Sequence, residues 1–226
     1  MTQADDGSPV SAAEKSEDRS GRRTQAERSA AMRQRLLDAT IDCLVTYGYA
    51  GTTTLRVAEL ANVTRGAQLH HFPAKDDLVA AAVEHLAHRR MDLAFGELWR
   101  IKSNPDVPSA VLDFLWEAHR STLYVATIEL WIASRTDPVL AAQIRRVEPV
   151  VTGTVFASVA QFLPDEAGRR GLRHATYTAM DAMRGLMLSN FIDGDDERLQ
   201  RRWIRARTRL RSDMQAALES DDTDDR

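Results

Sequence analysis

From Lys75 to Lys102 the chain contains no proline and a single glycine, Gly96. Within that run Leu78, Val79, Ala82, Val83, Leu86, Met91, Phe95 and Leu98 recur at helical spacing. That pattern predicts one long helix with these residues inward, and a helix of this length must bury its apolar face against other elements. The rest of the sequence offers helices as partners. Only 11 glycines and 7 prolines occur in 226 residues, alanine is abundant, and no apolar–polar alternation persists beyond a few residues. The chain is therefore expected to be all-α.

The breaks mark out the remaining elements. Residues 1–21 are rich in Asp, Glu, Ser and Gly and nearly devoid of large apolar side chains, so they read as a disordered tail. A first helix is expected from Thr24 to Tyr47, with Leu36, Leu37, Thr40, Ile41, Leu44 and Val45 on one stripe and Gly48 as terminator. A short helix over 54–62 follows, capped by Thr53 or Thr54, with Asn62 suited to the left-handed conformation that ends it. Thr64 caps another short helix over 65–71, which Pro73 stops. Beyond "SNPDVP" the pattern predicts helices over about 109–133, 138–163, 166–192 and 195–219. Breaks fall at Asp137-Pro138, Leu163-Pro164 and "DGDD", and residues 220–226 form an acidic tail.

Composition excludes several classes. The single cysteine, Cys43, permits neither an internal disulfide nor a Cys-rich zinc site. No run reaches the roughly 18–20 apolar residues of a membrane helix, and the polar, acidic start has no secretory character. A cytoplasmic protein that meets no membrane is expected. The net charge of −3 argues against a uniformly basic nucleic-acid binder. Between Arg22 and Lys75, however, eight cations face four anions, which is +4 locally and leaves −7 elsewhere. That asymmetry points to a polyanion at the N-terminal part alone.

The segment "VTRGAQLHHF" (63–72) lies in that basic part. His70 and His71 could serve as metal ligands, but no third ligand accompanies them at workable spacing. Two short helices joined by a turn of about three residues make a helix-turn-helix, whose second helix can enter a major groove. The start of that helix carries unpaired N–H groups and partial positive charge beside Thr64 and Arg65. Gly66 lets the backbone lie close to DNA, and Gln68, His70 or His71 can reach base edges. The same pattern also fits a helical hairpin inside a core.

The stretch "TTTLRVAELANVTRGAQLHHFPAKDDL" resembles the DNA-binding domain of the TetR family of transcriptional regulators, over about residues 30–80. A helix ends at "YGY", followed in order by Thr53, Ala58, Val63, Thr64-Arg65-Gly66 and "HHFPAKDDL". The resemblance implies an N-terminal three-helix DNA-binding domain (22–75) and a helical ligand-binding and dimerisation domain (76–219), with about nine helices in all. It implies that helix 65–71 enters the major groove. Thr64, Arg65, Gln68 and His70 would meet the groove beside Gly66 and His71, with Thr53, Thr54, Arg56 and Lys75 toward phosphates. An arm at Arg22, Arg23 and Arg28 is expected to add non-specific affinity. The partners implied are double-stranded DNA with a partly palindromic operator, a second copy of the chain, and an unknown small apolar or aromatic effector that releases a repressor. Where the family usually shows Leu-Tyr, this chain has Gln68-Leu69. Either the helix is rotated slightly, or Gln68 reads a base while Leu69 packs or touches a thymine methyl.

No motif in the C-terminal part names a ligand or cofactor, and none is expected as a cofactor. Phe95, Trp99, Phe114, Trp116, His119, Tyr124, Trp131, Met180, Met183 and Met187 are candidates to line a pocket between helices, though each also fits an ordinary core. Arg184 could orient a ligand or sit at an interface rim. The last two helices, with small residues such as Ala182 and Gly185, suit an isologous four-helix dimer interface. "RLQRRWIRARTRLR" spreads cations over nearly all faces around a stripe of Trp203, Ile204 and Leu210, which suits a solvated outer helix. The competing class is a helical enzyme or scaffold. Glu84, His85 and His88 match no hydrolase spacing, and no nucleophile elbow, P-loop or dinucleotide fingerprint occurs.

Overall fold

The computed structural model describes residues 24–162 and 170–219. The regular structure among them is helical: α1 (Gln25–Gly51), α2 (Thr54–Leu60), α3 (Arg65–His71), α4 (Lys75–Lys102), α5 (Val107–Arg120), α6 (Thr122–Ser134), α7 (Pro138–Phe162), α8 (Arg170–Asp193) and α9 (Asp196–Glu219). The expected tails at 1–21 and 220–226, the arm residues Arg22 and Arg23, and the Leu163-Pro164 break lie outside the described residues.

A reciprocal capping box starts α1. The Thr24 hydroxyl accepts from the Glu27 N–H at 3.2 Å, and the Glu27 carboxylate accepts from the Thr24 N–H at 2.7 Å. Gly48 has φ +67°, so the helix kinks where the sequence predicts its end, and a last turn runs on to Gly51.

One expectation fails. The run 109–133 is two helices, not one. Ser121 adopts ψ 155°, closes α5 and caps α6. Its hydroxyl donates to the Ala118 carbonyl at 2.6 Å and accepts from the Tyr124 N–H at 3.3 Å. A serine that bonds its own backbone competes with the helix ladder, and helical periodicity does not register this.

Three apolar clusters among the described residues organise the fold. Leu36, Cys43, Val57, Phe72 and Leu78 form a small core under α2 and α3. Ile41, Leu44, Val79, Val83, Leu86, Leu130 and Leu140 join α1 and α4 to α6 and α7. Leu112, Trp116, Met183, Trp203 and Met214 join α5 to α8 and α9, with the Trp116 and Trp203 rings stacked at 4.4 Å. Helices α1 and α4 thus each serve two cores, which fixes the N-terminal unit on the rest.

Two inward assignments are corrected by the helix phase. Phe95 is exposed because Ala94 and Leu98 take the buried face of α4, and one residue's step turns about 100°. Ile204 is exposed for the same reason beside buried Trp203. Met91 is half-buried. The cations of α9 stay at the surface: Arg207 pairs with Asp113 through two bonds at 2.7 and 2.8 Å, and Arg211 with Asp106 at 2.9 Å.

Candidate nucleic-acid interface and internal cavity

Local chemistry builds the N-terminal unit. The Thr53 hydroxyl accepts from the Arg56 N–H at 3.2 Å and caps α2. Thr64 does the same for α3, accepting from the Ala67 N–H at 3.1 Å. Between them Asn62 takes φ +52°, a conformation asparagine tolerates better than most residues. Val57 and Ala58 of α2 and Phe72 behind α3 face the small core, which sets α3 against α2.

The burial of each turn decides which side chains are presented. Thr53, Thr64, Arg65, Gly66, Leu69 and His70 are exposed, and Thr54 and His71 are half-buried. Arg65 makes no ion pair among the described residues. A Cβ placed on Gly66 would touch only the Thr64 hydroxyl, at 4.0 Å, so the fold itself does not require glycine there. His70 and His71 lie edge to face at 5.4 Å. Burial, then the charges of His70 and Arg33, lower the His71 pKa below the usual imidazole value.

Three residues expected at the DNA have partners within the molecule. Gln68 is 0% exposed, and its amide N–H donates to the Phe72 carbonyl at 2.7 Å, so it faces the core while Leu69 faces out. Of the arrangements expected for the pair, the one in which Gln68 reads a base does not hold, while Leu69 is left free to touch a thymine methyl. Arg56 turns back, with its guanidinium on the Gly51 carbonyl and 4.3 Å over the Tyr47 ring. Lys75 likewise donates to the Tyr49 carbonyl at 3.3 Å and sits 4.5 Å over that ring. Both cations neutralise carbonyls at the end of α1.

A cavity of about 110 Å³ opens among α4, α5, α6, α7 and α8. Leu98, Ile101, Val111, Phe114 and Met180 give it apolar walls, and Arg90, His119, Tyr124 and Arg184 supply its polar side. Of the expected pocket residues, Phe114, His119, Tyr124, Met180 and Arg184 come together here. Phe95 and Trp99 point to solvent, Trp99 with 69% of its surface exposed. Trp116, Met183 and Met187 belong to the α5–α8–α9 core. Trp131 lies outside the wall, 5.1 Å beneath the Arg184 guanidinium.

His119 and Tyr124 are each 4% exposed, with ring centroids 4.3 Å apart. The His119 Nδ1 lies 2.6 Å from the Leu115 carbonyl, an acceptor only, so Nδ1 carries the proton. Burial pushes the His119 pKa down to about 4; the Leu115 bond opposes this, and the charges of Arg184 and Arg90 add to it. The ring is neutral at pH 7, with a free lone pair on Nε2. Burial likewise raises Tyr124 to about 12, partly offset by Arg184. That guanidinium approaches the Tyr124 hydroxyl, but no hydrogen bond of proper geometry joins them. The His119 Nε2, the Tyr124 hydroxyl and the Arg184 Nε are all buried without a partner.

A profile of the bacterial regulatory proteins of the tetR family matches residues 36–82. The HTH-type transcriptional regulator CymR of Pseudomonas putida is 30% identical over 188 residues, which cover 80% of this chain and 89% of that protein. The chain belongs to the TetR family. It is a DNA-binding transcriptional regulator and not an enzyme. The HTH-type regulator BetI of Paraburkholderia phymatum is 25% identical over 170 residues, covering 72% of this chain and 83% of that one. Two solved structures share the fold. The multidrug binding protein EbrR complexed with imidazole has 22% identity, covers 85% of this chain and 98% of its own, and gives a TM-score of 0.55. GusR of Salmonella enterica has 16% identity, covers 84% and 96%, and gives 0.59.

Sequence reasoning missed Arg90 of this TetR-family chain. The arginine lies on the inward face of α4, four residues from both Leu86 and Ala94, and makes two bonds to Glu148 of α7, at 2.8 and 3.1 Å. A cation in phase with an apolar stripe was the available signal. Two polar tethers between elements were also missed. Asp38 of α1 accepts from His85 at 2.8 Å and from Arg89 at 2.9 Å, both on α4. That occupies His85, one of the three residues considered for a metal, and no group of three metal-ligating side chains occurs among the described residues. At the kink of α1 the Tyr49 hydroxyl donates to Asp137 at 3.0 Å, and its N–H donates to Glu129 at 3.3 Å. Burial, then the Asp137 bond, raises the Tyr49 phenol to about 12, which keeps it a donor.

Proposed function

We propose that this regulator is a cytoplasmic, homodimeric repressor that binds a partly palindromic operator through α3 and leaves it when a small molecule fills the cavity. Residues 22–75 form the reading domain and 76–219 the effector and dimerisation domain. The observation that carries the reading is the outward set at the start of α3. Thr64, Arg65 and Gly66 face solvent at a helix start that favours anions, and His70 faces solvent on the last turn of the same helix, over a rigid core. Arg65 and His70 address base edges, Leu69 a thymine methyl, and Thr53 and Thr54 the backbone, with Arg28 adding a distant phosphate contact.

Dimerisation uses α8 and α9. Tyr177, Leu188 and Ile192 leave apolar surface on α8, and a Cβ at Gly185 would meet nothing. Such a stripe fits a second copy across a two-fold axis, which sets half-sites about 34–36 Å apart or a multiple of it. Helix α4 links the two functions, because it lines the cavity with Arg90, Ala94 and Leu98 and carries the Asp38 tether to α1. A ligand that displaces α4 displaces the reading unit with it.

Selection of bound genomic fragments followed by fluorescence anisotropy tests this. Arg65→Ala should weaken the selected operator by about 1–3 kcal/mol, roughly 5- to 150-fold, and steep salt dependence should accompany wild-type binding. Unchanged affinity for the variant would remove α3 from the groove.

A further inference from the structure

We propose that the effector is a small monocarboxylic acid, an apolar or aromatic body whose one carboxyl group docks among Arg184, Tyr124 and His119. This rests on the effector reading above and adds its chemical class.

Three buried polar atoms surround one cavity. The His119 Nε2, the Tyr124 hydroxyl and the Arg184 Nε lack partners, and the three residues line the same space. Folded proteins satisfy nearly all buried polar groups, so three unmet needs in one place define the missing group. Arg184 Nε–H can only donate, and Tyr124 donates through its hydroxyl. His119, with Nδ1 committed to the Leu115 carbonyl, can only accept at Nε2. The complement is an oxygen that accepts from Arg184 and Tyr124, beside an O–H or N–H that His119 accepts. A carboxyl group and a carboxamide both have that shape.

Charge separates the two. Among the described residues the cavity is lined by Arg90, Arg173 and Arg184 and by no carboxylate. Glu148 neutralises Arg90 through two bonds. The counter-ion of Arg184 is Asp181, which is 69% exposed on the outer side of α8 and is screened by water. Arg173 stands exposed at the rim. The surplus is positive, which selects the acid. Among the described residues, the charged and titratable groups around His119 are therefore Arg90 of α4, Tyr124 of α6, Glu148 of α7, and Arg173 and Arg184 of α8. An acid that is ionised in solution picks up one proton on entry, shared between its oxygen and His119 Nε2.

Size limits the body. A dry cavity of roughly 150 Å³ holds one benzene ring. The 110 Å³ here is smaller, so the body is no larger than a single ring or a short chain.

Isothermal titration of the full-length protein with benzoate, phenylacetate, 3-phenylpropanoate and hexanoate, each against its own carboxamide and alcohol, tests this. At least one acid should bind about tenfold or more tighter than its carboxamide, the advantage expected of a charge-assisted bond. Titrations in phosphate and in Tris should report uptake of close to one proton. Arg184→Gln and Tyr124→Phe should each cost the acid about tenfold and the carboxamide about twofold or less, with unchanged melting temperature. Equal affinity for acid and carboxamide, binding without proton uptake, or no binding by any of the four acids overturns the proposal. Anisotropy on the selected operator separates it from the reading it rests on. Release by a neutral compound leaves an effector-released repressor with a different ligand class. Binding in the cavity that never alters operator affinity defeats the effector reading itself.

Discussion

The reading unit and the cavity treat their polar groups in opposite ways. In α2 and α3 each helix start is closed by its own threonine, and the outward polar side chains keep their water. Beneath them a dry core of Leu36, Val57 and Phe72 supplies the rigidity. In the cavity the walls are apolar, and the polar atoms have lost water without gaining a partner. Apart from the buried Gln68 Oε1, the first arrangement is complete by itself and offers a fixed surface. The second is incomplete and is lowered in free energy by whatever completes it. A regulator needs both, because a rigid reader reports only if another part responds.

The most damaging change should strike the reader's core. Phe72 is 2% exposed, and Phe72→Ala should cost about 3–5 kcal/mol in urea unfolding and abolish operator binding. Trp99→Ala, a larger deletion on exposed surface, should stay within about 0.5 kcal/mol. Similar losses for the two would mean that α3 is not held from beneath.

The cavity should reveal itself by pH. His119 is buried and neutral, with a folded pKa near 4 against 6.5 unfolded. The unfolded chain therefore binds a proton that the folded one refuses. Stability from this group is full above pH 6.5 and falls as pH drops toward 4, by up to about 3 kcal/mol. Denaturant unfolding at pH 7 and 4.5 should show that loss in the wild type and a smaller one in His119→Gln. Parallel curves would mean that the imidazole is hydrated and that the cavity is not dry around it.

The two regions also differ in how far the sequence exposes them. Thr53, Asn62, Thr64 and Pro73 act within three or four residues of themselves, so the reader's outline follows from adjacent letters. The long α4 is equally plain, because its period repeats over many turns. Cavity walls are not local. Met180 meets Phe114 only through the packing of α8 on α5, and no spacing predicts it. Aromatic identity was a poor guide. Trp116 stacks on Trp203, while Trp99 and Phe95 lie one step off the buried phase. The split at Ser121 was hidden because a serine cap interrupts a helix without disturbing its apolar period. The intramolecular partners of Arg56 and Lys75 are hidden for another reason: the carbonyls at the end of α1 claim both cations, and that competition is set by tertiary placement.

The smallest expected effect is the sharpest probe of the boundary between core and surface. Gln68 is the one residue of α3 that is fully enclosed, and it carries an unpaired Oε1. Leucine there loses the amide bond to the Phe72 carbonyl but also removes the unpaired oxygen. These terms oppose each other, so Gln68→Leu should change stability by about 1 kcal/mol or less. It should leave the preferred operator sequence unchanged, since no part of the side chain reaches the outer face. Leu69→Ala, one residue along and exposed, should instead weaken the operator several-fold, by about 1 kcal/mol. If Gln68→Leu relaxed the base preference at one operator position while Leu69→Ala had no effect, α3 would be rotated on the DNA. The division between supporting and reading side chains would then have to be drawn one residue earlier.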